Sequence, residues 1–203
     1  MIKLVLFDLG GVIIDIPEYR YFRYLSRINR VSPYLAERII VRSAPLLESG
    51  KMSLAKFQED MGMEFGIPSS KIAWLSFFKK NAKLNSKTIE VVKELKKNYR
   101  IAFLSNVDRW RYDYLAKHIL NKVLYLFDYR FASFKLGIVK PSPLAYKKVL
   151  KAMRLKPSEV LFIDNNLENV MGARSVGIRS LQFSNIKILK LDLKSFGIKL
   201  KSV

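Results

Sequence analysis

Residues 2–11 read Ile2-Lys3-Leu4-Val5-Leu6-Phe7-Asp8-Leu9-Gly10-Gly11. A short apolar, partly β-branched run stopped by a carboxylate and a glycine pair predicts a buried strand whose carboxyl end delivers Asp8 into a tight turn. Three later runs have the same form: Ile101–Leu104 ending at Ser105-Asn106, Val160–Ile163 ending at Asp164-Asn165, and Ser180–Phe183. Helical periodicity precedes each of them, over Ser86–Asn98, Pro141–Arg154 and Glu168–Val176, the last closed by Gly177. Strands alternating with helices predict an α/β chain built on a doubly wound, Rossmann-like parallel sheet. Ligands of such sheets lie beyond the carboxyl ends of the strands, where Asp8, Ser105 and Asp164 fall. The pattern leaves the strand order open.

Residues 17–84 break the alternation. They read as helices over Tyr19–Asn29, Pro33–Leu47, Ser53–Phe65 and Ser69–Lys80, punctuated by Pro17, Ser32-Pro33, Gly50 and Pro68. The expected organisation is therefore an α/β core formed by residues 1–16 and 85–203, with a small helical cap, residues 17–84, inserted after the first strand.

Composition narrows the chemistry. The chain has 203 residues, half of them hydrophobic and 12% aromatic, which is ample for a buried core. Cysteine is absent and His118 is the only histidine. That excludes disulfides, thiolate catalysis, Cys-ligated metals and multi-histidine sites, and leaves oxygen ligands for a hard cation. The 37 Lys+Arg residues exceed the 17 Asp+Glu by 20 charges, which favours acidic partners: phosphorylated metabolites, nucleic acid or an anionic surface. The first apolar run is too short for a signal peptide or a membrane span, so a cytoplasmic protein without membrane association is expected.

Several features have ordinary readings. Lys147, Lys148, Lys151, Arg154 and Lys156 cluster around one helix, as a solvated face or as a nucleic-acid contact. The lysine-rich stretch Lys187–Lys201 reads as a final strand or helix edge with snorkelling lysines, and alternatively as an anion-binding or membrane-surface tail. His118 reads as a partly exposed helical residue. Tyr19, Arg20, Tyr21 and Arg23, at the cap entrance, are candidates for substrate recognition or simply a core face backed by a solvated one. Asp8 taken alone is an ordinary turn or capping acid, Ser105-Asn106 an ordinary helix cap, and Lys140 an extended residue leading into a helix with Pro at its first position.

Taken together, Phe7-Asp8-Leu9-Gly10-Gly11-Val12-Ile13, Leu104-Ser105-Asn106, Lys140-Pro141 and Phe162-Ile163-Asp164-Asn165-Asn166 resemble, in order and spacing, the four motifs of the haloacid dehalogenase-like hydrolase superfamily. The similarity runs from residue 2 to about 183 and is closest to the sugar-phosphatase-like branch whose first motif reads Asp-Leu-Gly. It implies an Mg²⁺-dependent phosphomonoester hydrolase acting on a small phosphorylated metabolite through an aspartyl-phosphate. It further implies Asp8 as nucleophile, Asp8, the Gly10 carbonyl and Asp164 as metal ligands, and Ser105, Lys140 and Asn106 as holders of the phosphoryl oxygens.

Two departures bear on mechanism. Phosphatases of that superfamily usually place a second aspartate, the acid–base residue, where this chain has Gly10, so the proton must come from Asp15 as first choice, from Glu18, from the substrate or from solvent. Asn165 stands where many relatives have a second metal-motif aspartate, leaving Asp164 as the main carboxylate, with Asn166 or Glu168 as helpers through water. Two alternatives follow: a catalytically weak relative that binds nucleic acid or another acidic partner, and a 2-haloacid dehalogenase. Dehalogenases need neither the second aspartate nor a metal, but usually carry an aromatic residue at the Gly10 position and tend to lack the Asp164 carboxylate.

Overall fold

The computed structural model describes residues 1–198 and Leu200; Lys199 and Lys201, within the lysine-rich C-terminal stretch, lie outside the described residues with 202 and 203. The chain begins with β1 (Leu4–Phe7) and the short β2 (Ile14–Asp15). Four helices follow: α1 (Glu18–Asn29), α2 (Pro33–Glu48), α3 (Leu54–Phe65) and α4 (Trp74–Asn81). The two-residue β3 (Lys83–Leu84) leads into α5 (Ser86–Leu95), β4 (Arg100–Ser105), α6 (Arg109–Tyr114), β5 (Tyr129–Ala132), α7 (Ser133–Leu136) and α8 (Pro143–Met153). The last elements are β6 (Val160–Asp164), α9 (Leu167–Arg174), β7 (Arg179–Gln182) and α10 (Ile186–Ser195).

Five strands form one sheet in the order β5-β4-β1-β6-β7, every neighbouring pair parallel. β1 is central, with Phe7 in register with Phe103 of β4 on one side and Ile163 of β6 on the other. Because successive residues of a strand face opposite sides, the sheet has two cores. Val5, Phe7, Phe103 and Ile163 pack on one face with α5 and α10 residues such as Val92 and Leu193. Leu4, Leu6, Leu104 and Phe162 pack on the other with Tyr146 and Val149 of α8 and Ala173 of α9. Four apolar residues in a row at β1 are thereby fully buried on both faces, as a parallel sheet requires.

The helices α1–α4 close around an apolar cluster of their own, including Leu25, Ile40, Leu47, Phe57, Met61 and Ile72. Their boundaries follow capping chemistry. The Ser32 hydroxyl accepts from Leu35 N–H ahead of Pro33, and the Ser53 hydroxyl from Lys56 N–H. Gly66, at φ 64°, closes α3 in the left-handed conformation that glycine adopts without steric cost. The chain enters and leaves this insertion through an antiparallel pair, Ile14 opposite Leu84 and Asp15 opposite Lys83.

Three elements differ from the sequence reading. The helix expected over Ser69–Lys80 is a 3₁₀ turn, Ser69–Ile72, then a left-handed Ala73 (φ 49°), then α4. The helix expected from Pro141 starts at Pro143, after a cis Lys140-Pro141 bond. The edge strand β5, which the sequence reading lacks, pairs with β4 from Ala102–Tyr129 to Ser105–Ala132. Among the described residues no helix is long and apolar enough to cross a membrane.

Candidate active site

Parallel strands put their carboxyl ends on one edge, and the order β5-β4-β1-β6-β7 places the switch in strand order beside β1. Asp8 leaves β1, Ser105 ends β4 and Asp164 ends β6. All three line a pocket of about 410 Å³ between the sheet edge and α1, α2 and α4.

Lys140 ties the site together. Its ammonium donates to Asp8 Oδ1 at 2.7 Å and to Asp164 Oδ2 at 2.6 Å, and the side chains of Lys140 and Asp164 are almost completely buried. Burial raises the Asp8 carboxyl to a pKa of about 7, against the pull of the Lys140 ammonium and with the help of the neighbouring Asp164 charge. Burial acts to strip the proton from Lys140, but the two carboxylates outweigh it and hold the ammonium above the usual lysine range. The other Asp164 contacts are structural: Oδ1 accepts from Asn166 N–H at 2.8 Å, and Oδ2 also accepts from Asn169 Nδ2 at 3.0 Å.

Asn106 lies against the Lys140 backbone. Its amide nitrogen donates to the Lys140 carbonyl and its oxygen accepts from the Lys140 N–H, both at 2.8 Å. That side chain thus fixes the lysine backbone while lining the pocket, and its second amide N–H remains a donor. Gly172 completes this support, because a Cβ there would lie 2.4 Å from the Pro141 carbonyl oxygen. Only glycine lets α9 approach the segment that carries Lys140.

Asp15, the first choice for the acid–base group, does not face the pocket. In the two-residue β2, Ile14 points inward and lines the pocket, so Asp15 points out; it is exposed and accepts from Asn85 Nδ2 at 3.2 Å. Glu18, in the first turn of α1, lines the pocket instead. Although it is exposed toward the opening, the surrounding protein raises its pKa by desolvation, with Arg111 pulling the other way. Asn165 and Asn166 also have defined roles: Asn165 lies over Gly11, and Asn166 caps α9 by accepting from Glu168 N–H. Of the four aromatic and basic residues at the entrance, only Tyr21 lines the pocket; Tyr19, Arg20 and Arg23 are exposed. His118 is exposed beside Tyr114.

The far side of the pocket holds a charge cluster that no sequence spacing announced. Arg111 of α6 is buried, donating to Asp108 and, at 2.7 Å, to Glu48 of α2; its guanidinium lies 4.7 Å from the Trp74 ring centroid. Burial acts to depress the Arg111 pKa, but the two carboxylates raise it above the ordinary arginine value, so it stays charged.

A metal fits the near end. Among the described residues no three His, Cys, Asp or Glu side chains gather as a ligand cluster, so a cation would rest on Asp8, Asp164, the Gly10 carbonyl and water. Those donors are all oxygen, which suits a hard divalent ion. Two buried carboxylates against one ammonium leave the negative charge that such an ion would neutralise.

A family model described as haloacid dehalogenase-like hydrolase matches residues 2–177. The chain is 27% identical over 199 residues to the D-ribitol-5-phosphate phosphatase of Bacteroides thetaiotaomicron, covering 91% of this chain and 93% of the relative. It is also 27% identical over 201 residues to a sesquiterpene phosphatase of Aspergillus oryzae, covering 95% of each. Among solved structures, an HAD family enzyme from Bacteroides thetaiotaomicron in complex with magnesium and inorganic phosphate superposes with a TM-score of 0.73. That match has 22% identity and covers 91% of this chain and 95% of the other.

Proposed function

The chain belongs to the haloacid dehalogenase-like hydrolase family, and on that premise we propose that it is an Mg²⁺-dependent phosphomonoesterase with Asp8 as nucleophile. The observation that carries this reading is the meeting of Asp8 and Asp164 on one buried Lys140 ammonium, at the sheet edge where Ser105 also ends its strand. The relatives named above act on phosphate esters, and one related structure holds magnesium and phosphate.

Asp8 attacks phosphorus, the bond from phosphorus to the alcohol oxygen breaks, and the phosphoryl group passes to the Asp8 carboxylate as an aspartyl-phosphate. Magnesium, held by Asp8, Asp164 and the Gly10 carbonyl, would screen the incoming phosphate from the carboxylates and withdraw charge from the phosphoryl oxygens. Lys140 keeps Asp8 and Asp164 facing one another, and with the Ser105 hydroxyl offers hydrogen bonds to the phosphoryl oxygens. The alcohol oxygen takes its proton from Glu18, which then accepts one from the water that hydrolyses the intermediate. The helices within 17–84 serve as the cap over this site.

The test is release of p-nitrophenol from p-nitrophenyl phosphate with and without Mg²⁺, for the wild type and Asp8→Asn. Magnesium-dependent release lost in a folded Asp8→Asn protein is expected; turnover unchanged in that variant would remove Asp8 from the mechanism.

A further inference from the structure

The phosphate end of the pocket is polar, but the wall supplied by α1, α2 and α4 is mostly apolar, Glu18 and Glu48 apart. Tyr21, Ile40, Val41, Ala44, Trp74 and Phe77 form it, the α2 members sharing one helical face. An alcohol group held by the phosphate end extends toward this wall, and its recognition depends on which side chains there can still hydrogen-bond.

Few can. The Tyr21 hydroxyl donates to the Ile72 carbonyl at 2.6 Å, with Tyr21 buried to 2% exposure. Trp74 Nε1 points to Asp108 Oδ2 at 3.4 Å. Arg111 donates to Asp108 and to Glu48 Oε1, which leaves Glu48 Oε2 and the other Arg111 N–H groups as the polar contacts on this side. The polar groups of the two aromatic side chains in this wall are thus taken up within the protein, and with Ile40, Val41, Ala44 and Phe77 they leave a mostly apolar surface. A buried hydroxyl without a partner weakens binding by roughly ten-fold or more, whereas each buried methylene strengthens it about four-fold.

Resting on the phosphatase reading above, we propose that the natural substrate is the monophosphate ester of an apolar, hydrocarbon-like alcohol, and that the apolar wall excludes phosphorylated polyols and sugars. The volume of about 410 Å³ is within the range of pockets that enclose ligands larger than a bare phosphate. Val41, 59% exposed while lining the pocket, extends the apolar wall out to solvent, where an incoming chain first meets it.

The experiment compares a linear alkyl phosphate series from methyl to octyl with a hexitol 6-phosphate, using full-length protein and Mg²⁺. The corresponding alkylphosphonates are titrated by calorimetry in parallel. The expected result is a kcat/KM that climbs about four-fold per methylene until the pocket is filled, carried mainly by KM, with hexyl phosphate preferred over the hexitol ester by roughly a hundred-fold. Val41→Asn, placed at an exposed position so that it folds, should flatten the slope. A flat series or preference for the hexitol ester overturns the proposal while leaving the phosphatase reading standing. Phosphonate affinity that rises with chain length without turnover of any ester, p-nitrophenyl phosphate included, supports the apolar pocket and removes the phosphatase reading instead. Neither turnover nor chain-length-dependent affinity overturns both.

Discussion

Replacing Gly10 by aspartate would install a second carboxylate two residues after the nucleophile, and the structure permits it. Gly10 is not among the glycines with positive φ, and a Cβ there would meet only Ile16 Cδ1 at 3.6 Å and Asp8 Oδ2 at 4.0 Å, both ordinary contacts. The new carboxyl would lie close to Asp8. Two like charges at about 4 Å in an effective dielectric near 20 repel by roughly 4 kcal/mol, equivalent to about three pK units. From an ordinary value of about 3.9 the new group would therefore titrate near 7, which suits a general acid at neutral pH. General acid–base catalysis contributes about 10²–10⁴ in rate, and because Glu18 already covers part of that role the lower end is expected. Gly10→Asp should raise kcat for alkyl phosphates by about 10²-fold. For p-nitrophenyl phosphate, whose leaving group needs no proton, it should change kcat by less than about three-fold. Glu18→Gln should lower alkyl ester turnover selectively, and Gly10→Asp should restore it in that background. The assay is steady-state phosphate release across leaving groups of graded pKa, with thermal melts to establish folding. No leaving-group-selective gain in either background would refute the assignment of the missing proton to position 10 and of its substitute to Glu18.

Gly172→Ala should damage the site from behind, because the added methyl collides with the Pro141 backbone and pushes the segment holding Lys140. A loss of at least about ten-fold in kcat is expected, with about 1–3 kcal/mol of destabilisation; full activity in a stably folded variant would show that this packing does not set the lysine position. Stability in chelator should also carry the signature of Asp8. With its pKa raised from 3.8 to about 7 on folding, the native state binds the extra proton between those values, so this group makes stability fall as pH rises through that window. Asp8→Asn removes the effect, on the order of a few kcal/mol, so its melting temperature should overtake that of the wild type by several degrees between pH 4 and 8. Melting curves that stay parallel across that range would contradict the burial of an ionised Asp8.

What was legible in the sequence follows the range of the interactions involved. The strands ending at Asp8, Ser105 and Asp164 announce themselves because a doubly buried strand needs an unbroken apolar run, and a run is a local signal. Edge strand β5 carries no such run: Tyr129 and Arg130 are exposed, and only Ala132 is fully inside. The break at Ala73 was invisible because its left-handed backbone is imposed by packing around Ile72 and Trp74, not by a glycine. At the site, Asp15 and Glu18 are near equivalents in sequence, and only the pairing of Asp15 with Lys83 decides which faces the pocket. Asn106 was found, but its hold on Lys140 was not, since that partner is the backbone of a residue 34 positions away. Arg111, Glu48 and Asn169 were missed for a related reason: no spacing rule places Glu48 against Arg111, 63 positions apart.

The charge distribution supplies a physical reason for a metal. The chain as a whole has a formal charge of +20, yet the pocket does not share it. Its lining carboxylates are Asp8, Glu18, Glu48, Asp164 and Glu168, and its lining cations are Lys140 and Arg111, each already held by two carboxylates. The basic surface can draw a phosphate ester toward the protein from a distance, but salt screens that field within about 8 Å at physiological ionic strength. Inside, a phosphate dianion meets a net negative wall in a medium of reduced dielectric, where repulsion at contact is several times stronger than in water. Lys140 does not reverse this on its own, because Asp8 and Asp164 offset its charge. A divalent cation held by Asp8 and Asp164 would reverse the sign of that field where a phosphate must approach the carboxylate. The oxygen ligands that cysteine-free, histidine-poor chemistry leaves available are the ones such an ion prefers.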